Sequence, residues 1–475
     1  MNYETVIGLE VHIQLKTKSK IWCSSSANYD DEKPNTCISP TCIGEPGALP
    51  KLNDEVLNYA IKAALALNCN INKISYFDRK NYFYPDSPKN YQITQFFKPY
   101  AQDGRLEITL PNGNKSFVEI ERIQIEEDTA KSIHISKESL LNFNRASMPL
   151  LEIITKPVIK NANEAYAYLT TLKERIKYTK ISDVSMELGS LRCDANVSVR
   201  KKGDTKLGTR TETKNLNSFK AVVKAIEYET SRQIDLLEKG KKVVQETRLW
   251  DEENGITRTM RSKEEAMDYR YFPEPDLPAV VISEERLNKM KADMPEFADE
   301  KMQRFISEYG IAMLEAKPLV SDLFLADYFE KIVKLTNSPK HACSWVLTEV
   351  LRVLKEQNIT IENFSISAER LSQLIKLIDD EVISSKIAKE VFAKMLNTCE
   401  NPKDIVEKEG LVQVTDTKYI EELVDKVLHD NPQSVEDLKA GKDRAIKHLM
   451  GQAMKLSKGK ANPKLVTDLI LSKCK

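Results

Sequence analysis

Residues 6–15 read VIGLEVHIQL, and their alternation decides the architecture. Ile7, Leu9, Val11, Ile13 and Leu15 fall on one side of an extended chain. Gly8, Glu10, His12 and Gln14 fall on the other, because successive strand side chains point to opposite faces. Such a strand asks for a core beneath it and leaves Glu10 and His12 as neighbours above. Two further segments share the pattern. Residues 120–128 turn Ile123 and Ile125 one way and Gln124, Glu126 and Asp128 the other. Residues 191–200 alternate Leu191, Cys193, Ala195, Val197 and Val199 with Arg192, Asp194, Asn196, Ser198 and Arg200. The apolar run PLLEII at 149–154 carries a single carboxylate, Glu152. An ionised carboxylate in such surroundings needs a cation, a proton or a hydrogen-bond donor.

Away from these strands the period changes. Helices are expected over 54–67 and 164–180, and a third begins near Asn217-Ser218, with Phe219, Val222, Val223 and Ile226 on one stripe. Beyond residue 290 the pattern is helical almost throughout. Leu371, Leu374, Ile375 and Ile378 form one stripe, and Ile387, Val391 and Met395 form another behind a Ser384/Ser385 cap. A turn-rich stretch at 397–404 marks a second boundary. The 475 residues fit about three domains at ~150 residues each, placed at 1–290, 291–400 and 401–475.

Charge narrows the function classes. Seventy-one Lys and Arg cancel 71 Asp and Glu, so any nucleic-acid contact must be a local patch. The patch available is the C-terminus, where ten basic residues from Lys439 to Lys475, among them Lys442, Arg444, Lys447, Lys455, Lys458 and Lys460, face only Asp443 and Asp468. This concentration suits a phosphate backbone; the alternative is a solvated helix surface. No apolar run is long enough to span a membrane, and the N-terminus reads as strand rather than as a secretory signal. Eight scattered cysteines point to a reduced, cytoplasmic setting. Neither a P-loop nor a G-x-G-x-x-G fingerprint is present.

The polar faces carry the chemistry. Three carboxylates and an imidazole, Glu10, His12, Glu126 and Glu152, could hold a hard divalent ion such as Mg²⁺ or Mn²⁺, or could be the solvated side of a half-exposed sheet. Lys80, Lys89, Arg192 and Lys214 lie beside these strands, as phosphate contacts or as ordinary ion pairs.

Several long segments then resemble one family. YETVIGLEVHIQLKTKSKIWCSSSANY, DRKNYFYPDSPKNYQITQ, IQIEEDTAKS, NRASMPLLEIITKP, MELGSLRCDANVSVR, TETKNLNSFKAVVKAIEYE, DYRYFPEPDLP and the closing SVEDLKAGKDRAIKHLMGQAMKLSKGKANPKL are similar to the B subunit of bacterial aspartyl/glutamyl-tRNA amidotransferases. The resemblance implies an α+β fold: a glutamine-synthetase-like cradle domain, an all-α helical domain, and a small helical tail that holds tRNA. It implies an ATP- and Mg²⁺-dependent ligase. The side-chain carboxylate of Glu-tRNA(Gln) or Asp-tRNA(Asn) is phosphorylated, then amidated with ammonia from an amidase A subunit, and a small C subunit completes a heterotrimer. On this resemblance the metal ligands fall on Glu10, His12, Glu126 and Glu152, phosphate or channel contacts on Lys80, Lys89, Arg192 and Lys214, and an orienting role on Asp194.

One departure stands out. Many family members carry a C-x-C…C-x-x-C zinc knuckle, and the matching positions here are Cys23, Ser25, Ser39 and Cys42. Zinc is not expected with two thiolates gone, and Cys23, Cys37 and Cys42 are read as ordinary reduced thiols. The aromatic run Tyr82, Phe83 and Tyr84 is read as core filling. Two rival readings remain: a non-catalytic tRNA-binding scaffold, and a free-standing ligase for a small acid, which leaves the basic tail without a purpose.

Overall fold

The computed structural model describes residues 2–135, 137–262, 268–412, 417–439, 443–457 and 461–474. The chain divides into two compact units, Met1–Phe297 and Ala298–Lys475. The first is a mixed unit built on a large sheet and the second is helical, so the chain as a whole is of mixed α and β structure.

The sheet of the first unit has nine strands. In spatial order they are Ile256–Ser262, Glu246–Asp251, Thr211–Lys214, Leu191–Lys201, Tyr3–Gln14, Pro149–Thr155, Lys115–Glu127, Ala101–Thr109 and Asn70–Ile71. The opening strand of the chain is therefore the central one. Its pairing with both neighbours is antiparallel and sets His12 opposite Glu152 on one side and Arg192 on the other, with Glu10 opposite Asp194. Gln124 lies opposite Glu152 from the next strand out.

The period-two alternation explains how this sheet is buried. Ile7, Leu9, Val11, Ile13, Ile123, Ile125, Leu151, Ile153, Ala195 and Val197 are all fully buried on one face. They share a core with Ala60 and Ile61 of helix Asp54–Ala66, with Leu169, Leu172 and Ile176 of helix Ala162–Tyr178, and with Val222 and Ile226 of helix Phe219–Glu238. Each such side chain contributes about 1.5–3 kcal/mol when fully buried, so register is strongly fixed: a one-residue slip would exchange the two faces. The helices begin at side-chain caps. Asn53 accepts from Glu55 N–H, Asn161 from Glu164 N–H, and Ser218 from Ala221 N–H. The helix expected over 164–180 starts earlier because Asn161 is its cap, and it closes before Lys180, which turns to a φ of 60°.

A small three-stranded sheet of Phe272–Pro273, Asp78–Asn81 and Tyr91–Thr94 stands beside the polar face. It is pinned there by hydrogen bonds: Ile125 N–H donates to Gln95 Oε1 at 3.1 Å, and Thr94 Oγ1 donates to Glu126 at 3.3 Å. The connection from Asp78–Asn81 to Tyr91–Thr94 holds Phe83 and Tyr84. These are 77% and 56% exposed, against the expectation that they fill the core. A turn that projects past its strands places these rings beyond reach of the apolar face, and Tyr82 finds an aromatic neighbour in Tyr269, with ring centroids 6.5 Å apart.

In the second unit every described element is a helix. Leu371, Leu374 and Ile375 are buried along Ala368–Asp379, and Ile387, Val391 and Met395 along Ser385–Met395, whose cap is Ser384. The last helices enclose a small core of their own, including Ile420, Val424, Val427, Leu449, Ala453, Val466 and Ile470. Among the described residues no helix is long and apolar enough to cross a membrane.

Candidate active site

Because helices cover only one face of the sheet, its polar face is left to line an open cavity of about 540 Å³. The central strands supply Glu10, His12, Glu152 and Asp194. Strand Thr211–Lys214 supplies Glu212 and Lys214, and the small sheet supplies Lys80.

At the floor, His12 Nε2 lies 3.2 Å from Glu126 Oε1 and 3.6 Å from Glu152 Oε1. One potential ligand atom from each of the three residues lies within 4.8 Å of the others. Both carboxylates are buried. Thr94 Oγ1 donates to Glu126 at 3.3 Å, and the Gln124 side-chain amide donates to Glu152. The protonation states follow from this crowding. Burial, together with the charge of Glu126, raises Glu152 to about 7. Burial alone would favour a neutral His12, but the hydrogen bond to Glu126 and the charges of Glu152 and Glu126 outweigh it and raise the ring to about 9. Glu126 is held below its ordinary value by His12 despite its burial.

A second group stands beside the first: Glu10, Asp194 and Glu212, also with ligand atoms within 4.8 Å of one another. The sequence expectation of one quartet is thus divided into His12, Glu126 and Glu152 on one side and Glu10 on the other. Glu10 and His12 are two residues apart on one strand, a rise of roughly 6.5 Å, and Asn196 Nδ2 draws Glu10 toward the next strand with a 2.8 Å hydrogen bond. The two groups still share the cavity, and the charge of Glu10 contributes to the raised pKa of Glu152.

The expected cations separate as well. Lys80 lines the cavity with its Nζ 5.1 Å from the Tyr269 ring centre, and Glu126 and Glu152 raise its pKa against the effect of burial. Lys214 pairs with Asp194 and, at 2.8 Å, with Glu212. Arg192 lies next to His12 in register but gives its guanidinium to Asp128 at 2.5 Å. Lys89 is not brought to the cavity: its ammonium is buried against Glu127, which also accepts from Ile93 N–H and Ser147 Oγ. Of the expected tail residues, Arg444, Lys447 and Lys455 are exposed on helix Asp443–Leu456, while Lys442, Lys458 and Lys460 lie outside the described residues.

Sequence reasoning missed Glu212. Its signal was faint, an acid two residues before Lys214 in a four-residue strand. Tyr269 and Tyr271 also line the cavity and come from a segment with no periodic pattern.

The donor set fits a hard divalent ion. Two buried carboxylates sit beside an imidazole, and no Arg or Lys lies within ion-pairing distance of either among the described residues. Burial, and after it the charge of Glu126, raise Glu152, and a cation would favour its ionised form.

Residues 5–288 match the family model described as the GatB/GatE catalytic domain, and residues 327–474 match the one described as the GatB domain. The chain is 59% identical to a Fusobacterium nucleatum protein over 477 aligned residues, covering 100% of this chain and 99% of that one. It is 50% identical to a Clostridium tetani protein, covering 99% and 98%, and 49% identical to one from Carboxydothermus hydrogenoformans with the same coverage. All three bear the name of the B subunit of aspartyl/glutamyl-tRNA(Asn/Gln) amidotransferase. With resemblance over the full length and the catalytic-domain match covering the strands that build the cavity, the chain belongs to the family of aspartyl/glutamyl-tRNA(Asn/Gln) amidotransferase B subunits.

Proposed function

We propose that this chain is the carboxylate-activating subunit of a glutamine-dependent tRNA amidotransferase. It uses ATP to phosphorylate the side chain of Glu-tRNA(Gln) or Asp-tRNA(Asn), and ammonia from an amidase A subunit then displaces phosphate. A carboxylate resists amidation because its leaving group would be oxide. Transfer of the γ-phosphoryl group to a carboxylate oxygen releases ADP and provides phosphate as the leaving group when the ammonia nitrogen attacks the carbonyl carbon. The observation that carries this reading is the convergence of His12, Glu126 and Glu152 within 4.8 Å at the floor of a cavity that also presents Lys80 and Lys214.

In this reading His12, Glu126 and Glu152 hold Mg²⁺, with Glu10 and Asp194 facing the same space. When bound, the ion neutralises phosphate oxygens and brings them into line. The protein's own groups do the rest. Lys80 and Lys214 stand where an anionic phosphate chain would enter, and Asp194 and Glu212 hold the Lys214 ammonium in place. Gln124 and Asn196 fix the orientation of Glu152 and Glu10. The nine-stranded sheet, open on one face, supports reading residues 1–290 as a glutamine-synthetase-like cradle. The separate small core of the last helices supports reading 291–400 as a helical domain and 401–475 as a tail. Arg444, Lys447 and Lys455, at helical positions i, i+3 and i+11, fall on one flank and suit a tRNA backbone. A cytoplasmic heterotrimer with A and C subunits and no zinc completes the proposal.

The test is a Glu126→Gln and a Glu10→Ala complex, assayed for ATP hydrolysis that depends on Glu-tRNA and for Gln-tRNA formation. Both activities are expected to fall at least about a thousandfold, with tRNA affinity unchanged. Parental rates in Glu126→Gln would remove the metal assignment, parental rates in Glu10→Ala would remove Glu10 from the reaction, and a chain that binds tRNA but never hydrolyses ATP would favour the scaffold reading.

A further inference from the structure

The loop after the central strand carries a side-chain cluster that the proposed reaction does not use. Cys23 and the short helix Pro40–Ile43 bring two sulfurs together, with Cys23 Sγ 3.4 Å from Cys42 Sγ and Ser39 Oγ 3.3 Å from Cys42 Sγ. Beneath them lies Lys20, fully buried, whose ammonium donates to Ala146 O at 2.8 Å and to Cys42 Sγ at 3.7 Å. No carboxylate pairs with Lys20 among the described residues. A buried ammonium is costly without an anionic partner, and the sulfur of Cys42 is the group in position to be one. At this separation a proton can pass from one sulfur to the other.

We propose that Cys23 and Cys42 are a reversible dithiol–disulfide pair, oxidised by a hydroperoxide. Bonded sulfurs lie about 2.05 Å apart, so closure needs an approach of about 1.4 Å by two side chains on a loop. Cys23 is the half-buried, accessible sulfur, and Cys42 is fully enclosed. The electron pair of Cys23, with the proton resting on Cys42, attacks the distal peroxide oxygen. The O–O bond breaks, the departing alkoxide takes the proton, and Cys23 becomes a sulfenic acid. The Cys42 thiolate, already in contact, then attacks the Cys23 sulfur. The S–S bond forms, the S–O bond breaks, and hydroxide leaves to be protonated by solvent. Two electrons pass from the sulfurs to the peroxide, giving an alcohol and water.

The resting negative charge lies on the enclosed Cys42, so a proton crosses the 3.4 Å contact from Cys23 to Cys42 before Cys23 attacks. The hydrogen bond from Cys23, and then Lys20, lower the Cys42 thiol far below its ordinary range against burial, whereas the bond to Cys42 and burial raise Cys23. An ordinary reduced thiol has neither a sulfur neighbour nor a buried cation. Cys399, exposed, serves as the reference for such a thiol.

The test uses the full-length chain, alone and in its complex, reduced and then exposed to equimolar hydrogen peroxide at neutral pH. Remaining thiols are capped with iodoacetamide and the peptides are weighed. A Cys23–Cys42 linked peptide, lighter by two hydrogen atoms and restored by dithiothreitol, is expected to form at least about tenfold faster than Cys399 is oxidised. The link is expected to be absent from Cys23→Ser and Cys42→Ser. Oxidation of Cys399 while Cys23 and Cys42 stay fully cappable after unfolding would overturn the proposal. So would a tightly held zinc in the purified chain that Cys42→Ser releases.

Discussion

Replacing Glu229 with alanine tests how the wall of the cavity is held. Glu229 lies on helix Phe219–Glu238 with its carboxylate fully buried. It accepts from Arg232 Nε and Nη2 at 2.9 and 2.8 Å and from Thr211 Oγ1 at 2.9 Å, bonds the Thr257 hydroxyl, and lies 3.0 Å from Arg248 Nε. Thr211, Arg248 and Thr257 come from the three strands at one end of the sheet, so one carboxylate ties the helix to the part of the sheet that presents Glu212 and Lys214. Removing one partner of a buried pair costs about 3–5 kcal/mol. Here Glu246 also contacts Arg248 and lies 3.8 Å from Arg232, which places the loss near 3 kcal/mol. For a unit spanning Met1–Phe297 that is about 5 °C in melting temperature. The sign with pH follows from the shift: hydrogen bonds and arginine charges, against burial, hold Glu229 below its ordinary value. Its contribution is therefore complete above the unfolded carboxylate pKa and is lost as pH falls through the folded one. Calorimetry of Glu229→Ala against the parent should show the full gap at pH 7 and a narrowing gap below about pH 4.5. A parental melting temperature at pH 7, or a gap that widens on acidification, would refute the reasoning.

Lys89 and Lys80 should part company. Lys89→Met strands the buried Glu127 and should cost about 3 kcal/mol of stability with ATP affinity unchanged, whereas Lys80→Met should weaken ATP binding; calorimetric titration of both variants decides. Changing Arg444, Lys447 and Lys455 to glutamine should lower tRNA affinity and reduce the slope of log affinity against log salt by about 2–3, read by filter binding over a salt series. Removing divalent cations should weaken ATP binding roughly a hundredfold, about 2.7 kcal/mol, in equilibrium dialysis with and without Mg²⁺.

What the sequence disclosed, and what it hid, divides along local and non-local lines. The two faces of strand Tyr3–Gln14 were legible because alternation is a property of neighbouring residues, and Glu152 was legible because a lone acid in an apolar run has few fates. Strand adjacency was not, since the pairing that sets His12 against Glu152 joins residues 140 positions apart. The separation of Glu10 from His12 depends on Asn196, which is nearer in space than in sequence. Lys80 and Lys89 look alike in DRKNYFYPDSPKNYQITQ; one sits in a strand of the small sheet and the other in the turn that follows. The meeting of Cys23 with Cys42 is likewise a product of the folded loop.

The charge balance of the cavity explains why its carboxylates and cations occur together. Glu10, Glu152, Asp194, Glu212 and Glu246 face it, opposed by Lys80, Arg122, Arg210 and Lys214. Such a wall is close to neutral and offers a polyphosphate little net attraction, because Lys214 is already engaged by Asp194 and Glu212. A site for phosphate alone would omit the acids, and a site for a free amino acid would not need two acidic groups. Under the proposed function divalent ions would resolve the conflict, because a cation held by a pair of carboxylates would offer its charge to phosphate oxygens. On the proposed reading ATP and its cations would enter as one unit, and their positive charge would oppose the burial and the Glu126 charge that raise Glu152.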